Sequence, residues 1–245
     1  MDEAELIQFY PTSVYHATLD GCGNHHSIIF DDDVIDQHTL ENADPEEKNK
    51  YVNPISGETN GKSLLHKDHR FTSFFKEVVG HAEVYLSGAF NLYSQLFDFY
   101  VVKSWYNVLG PRDALGLRKR ESSDISFIYY PEADDNTQRF WISNSGKDLN
   151  SVNEVFPGMF SENSKGLKYL SQFNFVTSDL NSIKPQTGSI IIYPSKCSTA
   201  MIPIPSQTPN EKTTTIQGEI KLILKPEILH LDDGLLAIEH WKKFN

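Results

Sequence analysis

The sequence predicts an α+β fold in which a β-sandwich or jelly roll carries helices packed on one outer face. Three observations predict it. Between residues 97 and 224 lie short segments rich in aromatic and β-branched residues, separated by turn residues. Ahead of them stands one long segment with apolar residues at steps of three and four. At 245 residues, 39% hydrophobic and 22% charged, the chain can bury a sizeable core.

Taken in order, residues 5–19 alternate well enough for one or two strands interrupted at Pro11. His25 and His26 sit in a Gly/Asn-rich stretch that reads as a surface turn. Residues 31–42 open with Asp31, Asp32 and Asp33, where a helix N-terminus favours negative charge, and predict a short helix. Residues 44–62 are polar, with Pro54, Gly57 and Gly61 as turn signals. From 72 to 96 the run Phe74, Phe75, Val78, Ala82, Tyr85, Leu86, Ala89 and Tyr93 predicts a long helix. Gly80 and Gly88 each cost about 1 kcal/mol relative to Ala there, so packing must outweigh propensity. Strands are then predicted over 97–108, 124–130, 138–142, 172–177, 188–193 and 213–224, with a Ser/Asn/Gly-rich loop over 143–166. Residues 234–244 predict an amphipathic closing helix. No repeat or linker is evident, so residues 1–245 are expected to form one domain. Its parts are strands and supporting helices over 1–96, a β-core over 97–224 and a C-terminal helix over 225–245.

Charge narrows the partners. Residues 1–50 hold twelve acids against Lys48 and Lys50, a net −10 of the whole chain's −11. An acidic balance of this kind argues against nucleic acid and anionic membrane as partners. No apolar run approaches the roughly 18 residues of a membrane span. The acidic start is unlike a signal peptide, and two cysteines, Cys22 and Cys197, make neither a disulfide framework nor a thiolate zinc site. A reducing cytosol is therefore the expected compartment.

Phosphate loops of the Walker or dinucleotide type are absent, as is a Gly-x-Ser-x-Gly elbow. His66 and His69, three residues apart with His81 beyond, form a weak metal pattern and are expected to be solvated loop residues. Arg118, Lys119 and Arg120, with Arg112 nearby, are the one basic cluster of the sequence. In a strand 118 and 120 share a face. That face is either solvated or points inward, where two guanidiniums need an anion or carboxylate partner.

The motifs, taken as an ordered set, resemble a 2-oxoglutarate/Fe(II) oxygenase family common in tailed phages and bacteria. Trp105 and Asn107 are similar to its W-x-N, and the stretch from Arg118 through Ser126 to Tyr130 resembles its H-x-H-P-x-S-x-x-S-G-V-Y-Y. Residues 188–203, with Gly188, Pro194, Ser195 and Pro203, resemble its G-x-L-x-x-F-P-S-x-x-x-H-x-V-x-P. Glu211 and Lys212 resemble its E-R-x-S-I-x-F, and Thr59, Asn60, Ser63 and the helix that follows resemble its T-N-x-G-x-x-S-x-x-L. The resemblance implies a double-stranded β-helix, a cupin-like jelly roll, over roughly residues 5–224. It also implies a ferrous site whose three ligand positions fall on Arg118, Arg120 and Thr199, and a 2-oxoglutarate clamp that falls on Lys212.

Those departures decide the expectation. A guanidinium stays protonated and has no lone pair for a metal. Between residues 82 and 229 there is no histidine to replace it. The sequence therefore predicts no metal, no cofactor and no catalytic residue. It predicts a non-catalytic descendant of the oxygenase fold, a structural or protein-binding component of the kind a phage virion contains. Protein partners, a homo-oligomer among them, and a cytoplasmic or virion location follow from that reading. The alternative is a metal-free pocket in which Arg118, Arg120 and Lys212 cradle a dicarboxylate or phosphate, with Tyr130 as hydroxyl partner. An active 2-oxoglutarate-dependent dioxygenase is the third reading; it would have to recruit His66, His69 or His81, which precede the strands of the core.

Overall fold

The computed structural model describes residues 13–19, 22–39, 55–58, 61–110, 113–120, 122–134, 137–143, 180–202, 212–225 and 242–243. Two antiparallel sheets form its body. The larger runs in the order β1 (Tyr15–Thr18), β8 (Ser189–Pro194), β5 (Ile125–Tyr130), β10 (Thr213–Leu224), β3 (Phe97–Leu109) and β11 (Lys242–Lys243), with β2 (Ile55–Ser56) also pairing with β3. The smaller runs β4 (Leu115–Arg118), β9 (Ser198–Ile202), β6 (Arg139–Ser143) and β7 (Leu180–Ile183). The helices are α1 (Cys22–Ile29), α2 (Asp32–Thr39) and α3 (Thr72–Phe90).

Alternation along the central strands builds two cores from one sheet. Phe127, Tyr129, Ile190 and Ile192 pack with Phe74, Phe75, Val78 and Ala82 of α3. Their neighbours Ile128, Tyr130, Ile191 and Tyr193 pack with Phe140, Ile142 and Met201 of the smaller sheet. Every residue of β5 is consequently buried, as expected of a sheet covered on both faces. The order of layers is helix, large sheet, small sheet. Between Glu219 and Ile220 the β10–β3 register shifts; Lys103 pairs with Glu219 and Val101 with Ile220, leaving Val102 as the extra residue of a bulge.

The long helix ends six residues earlier than its periodicity predicts. Asn91 takes a left-handed conformation (φ 53°), and the Leu92 N–H donates to the Leu86 carbonyl, a Schellman-type stop. The predicted 31–42 helix forms as α2, with the Asp31 carboxylate accepting from the Asp33 and Val34 amides.

Other expectations need correction. His25 belongs to helix α1, not a surface turn, and is buried with Nε2 3.2 Å from Glu77 Oε2. His66 is fully buried, not solvated, and its amide donates to Ser104 Oγ at 2.7 Å. His69 is exposed as expected, and His81 Nδ1 is hydrogen-bonded to the Tyr15 hydroxyl at 2.9 Å. Lys242 and Lys243 pair with β3 as a strand where a closing helix was predicted. The predicted strand at 172–177, the rest of the 143–166 loop, residues 5–12 and most of the closing helix lie outside the described residues. Among the described residues no helix is long and apolar enough to cross a membrane.

Candidate functional site

Arg118 ends β4 and Arg120 follows two residues later, so both side chains leave the same side of the chain. They point to a common partner that sequence reasoning did not single out. Glu58, in the turn after β2, accepts from Arg118 Nη1 through Oε2 at 2.9 Å. Arg120 grips the same carboxylate with both terminal nitrogens, Nη1 to Oε1 and Nη2 to Oε2, the latter at 2.9 Å. This is the two-pronged geometry a guanidinium offers a carboxylate.

Arg120 is the better held of the two. Its side chain is 12% exposed against 43% for Arg118. Its Nε lies 3.8 Å from Glu219 Oε1, and its Cζ lies 4.7 Å from the centroid of the Trp105 ring. Glu219, 1% exposed, accepts from the hydroxyls of Ser122 at 3.2 Å and Ser123 at 3.1 Å. Ser195 Oγ lies 2.8 Å from both Ser123 Oγ and Ser126 Oγ, continuing the buried polar chain. Burial pulls the Arg120 pKa down, but the hydrogen bonds and charge of Glu58, with Glu219 behind, more than restore it, and the net shift is upward. Arg120 is a fixed cation.

A small pocket opens beside these groups, lined by Glu58, Trp105, Asn107, Arg118, Arg120, Thr199 and Gln217 among others. Its free volume is about 10 Å³, room for roughly one water. Asn107 is fully buried there; its Nδ2 donates to Thr215 Oγ1 at 3.3 Å, and its Oδ1 has no partner among the described residues. Gln217 Nε2 points to Met201 Sδ at 3.4 Å.

Of the residues picked out in the sequence, the structure brings together Arg118, Arg120 and Thr199. Arg118 pairs in register with Thr199 across β4 and β9. The Thr199 side chain is hydrogen-bonded to Tyr193, whose pKa burial pushes up to about 12 despite that bond. Two others are not brought to the pocket. Tyr130 is wholly buried between the sheets, its hydroxyl without a partner among the described residues and its pKa raised by desolvation. Lys212 is exposed just ahead of β10 and does not line the pocket.

The donor set can be judged as it stands. At the three positions where the resemblance puts iron ligands, two guanidiniums and a neutral hydroxyl do not fit a ferrous ion, which takes imidazole and carboxylate. Among the described residues no group of three or more His, Cys, Asp or Glu side chains is placed to hold a metal ion.

No family model and no curated protein matches the sequence. Solved structures match the fold. HygX from Streptomyces hygroscopicus, solved with nickel and 2-oxoglutarate bound, is 8% identical with a TM-score of 0.50 over 86% of this chain and 83% of that one. EvdMO1 is 11% identical, also at 0.50, over 88% of this chain but 48% of its own, so this chain spans about half its length. A prolyl-4-hydroxylase from Pseudomonas putida is 7% identical with a TM-score of 0.49, over 86% of this chain and 93% of that one. At these identities the likeness is one of fold, that of the 2-oxoglutarate oxygenases. It corrects the expectation of a non-catalytic chain: HygX shares this fold and was solved with nickel and 2-oxoglutarate bound, so the fold gives no ground for calling the chain a non-enzyme. The residues at 118, 120 and 199 do not by themselves make it one.

Proposed function

We propose that this chain is a double-stranded β-helix protein of the oxygenase type whose pocket binds a small carboxylate anion on Arg118 and Arg120. The observation that carries the reading is the seat itself: a carboxylate, that of Glu58, already lies between the two guanidiniums and takes three N–H donors from them. A free di- or tricarboxylate presents the same oxygens with the same geometry. Trp105 backs the inner guanidinium, and Glu219 Oε1 lies 3.8 Å from its Nε. Lys212, exposed beside β10, is not needed for the seat.

Calorimetric titration with 2-oxoglutarate, citrate and inorganic phosphate tests this reading. Saturable binding of a carboxylate that disappears in the Arg118→Ala/Arg120→Ala double variant is the expected result. Phosphate binding alone would redefine the ligand class, and no heat with any of the three at millimolar concentration would refute the site.

A further inference from the structure

We infer that Glu58 is the resident occupant of this seat, a built-in carboxylate that an incoming anion must displace, so that the pocket rests closed. The inference depends on the Arg118/Arg120 pair being an anion site and adds how that site is governed. Glu58 uses both of its oxygens on both guanidiniums, which is the contact a substrate carboxylate would make. With Glu58 in place the free volume is about 10 Å³, room for roughly one water.

The two glutamates on Arg120 differ in a way that assigns their roles. Glu219 lies within the sheet, 1% exposed and held by Ser122 and Ser123, so it stays. Glu58 lines the pocket from a turn, 17% exposed, and belongs to neither core. The base of that turn is pinned. The Gly57 N–H donates to the Tyr106 carbonyl at 2.8 Å, and the Gly57 carbonyl accepts from Lys62 at 2.6 Å. A Cβ at position 57 would lie 2.5 Å from the His38 carbonyl oxygen and 3.3 Å from Trp105 Cβ, which only glycine avoids. The carboxylate is thus tethered a few bonds from its seat, so it competes as an internal ligand at an effective concentration on the order of millimolar or above. When it swings out, Arg118 and Arg120 face the pocket opposed, among the described residues, by Glu219 alone.

Titration of the full chain with citrate and 2-oxoglutarate, compared with Glu58→Gln and Glu58→Asp, tests the inference, with a thermal melt confirming that each variant is folded. Glu58→Gln removes the internal carboxylate. Glu58→Asp keeps the charge but is one methylene too short to span both guanidiniums. Both are expected to tighten carboxylate binding about tenfold or more. Tightening in Glu58→Gln alone would show a simple charge effect and overturn the gate, as would unchanged or weaker binding in both. If wild type binds and Arg118→Ala/Arg120→Ala does not, while the Glu58 variants equal wild type, the anion site stands and the gate falls. If no form binds either carboxylate, the anion site falls and the gate with it.

Discussion

The guanidinium of Arg120 lies over the indole of Trp105, Cζ 4.7 Å from the ring centroid. A cation on an aromatic face gains attraction there without needing a further hydrogen bond, which frees the Arg120 nitrogens for carboxylates. Trp105→Leu should weaken carboxylate binding by about threefold, and Trp105→Phe by less, since a ring face remains. Arg120→Lys keeps the charge but loses the planar fork, and a fall of about tenfold or more in calorimetric affinity is expected.

Arg120 also bears on stability. It is the only cation within ion-pair distance of Glu219 among the described residues, and Glu219 is 1% exposed. Arg120→Met leaves that carboxylate buried without its cation and should cost about 3 kcal/mol in a urea melt. Combining it with Glu219→Gln should recover a large part of the loss.

Iron offers a separate check. Anaerobic titration with Fe(II) is expected to show no ferrous ion bound at positions 118, 120 and 199, because a guanidinium repels a cation instead of ligating it. Stoichiometric iron that is lost in Thr199→Ala would prove this wrong.

Asp68 predicts the acid behaviour of the helical layer. The Arg70 hydrogen bonds to it, and next that from His38, hold its carboxyl well below the usual carboxylate range against the opposing effect of burial. A carboxyl depressed in the folded state contributes stability that is present above its unfolded value near pH 4 and lost as pH falls through the folded value. Asp68→Asn should therefore cost about 2 kcal/mol at pH 7, the gap to wild type closing as urea melts are repeated toward pH 2.

Gly218 marks a close approach inside the large sheet. A Cβ there would lie 2.5 Å from Phe127 Cε1 and 2.9 Å from the Lys103 carbonyl oxygen. Gly218→Ala should cost about 2 kcal/mol, and Phe127→Leu in the same chain should relieve part of it, a coupling that a double-mutant cycle of melts would measure.

The large sheet and the long helix were legible because their residues carry period-two and three-to-four signals over many positions, as in β10 and α3. Strand β4, with Gly116 and a terminal arginine, and β9, with Ser198 and Thr199, escaped because short, half-wet strands show little alternation. The same composition left open whether Arg118 and Arg120 face water or a carboxylate partner; the structure gives them the carboxylate of Glu58. Glu58 escaped for a different reason: it lies sixty residues from Arg118, and no local pattern marks a contact made across that distance. The cue available was the turn chemistry of Gly57 and Gly61 on either side of it. His66 and His25 were misjudged because a polar flank says little about a side chain that tertiary packing covers.

The bulge at Val102 has a consequence for the pocket that it does not touch. Before it, the odd-numbered Phe99 and Val101 face α3; after it the even-numbered Tyr106 does, and odd-numbered Trp105 and Asn107 line the pocket. The extra residue reverses the parity of the strand. Deleting Val102 would keep every pocket residue in the sequence yet turn Tyr106 toward Arg120 and bury Trp105 and Asn107 under the helix, so the site is encoded as much by a count as by its side chains.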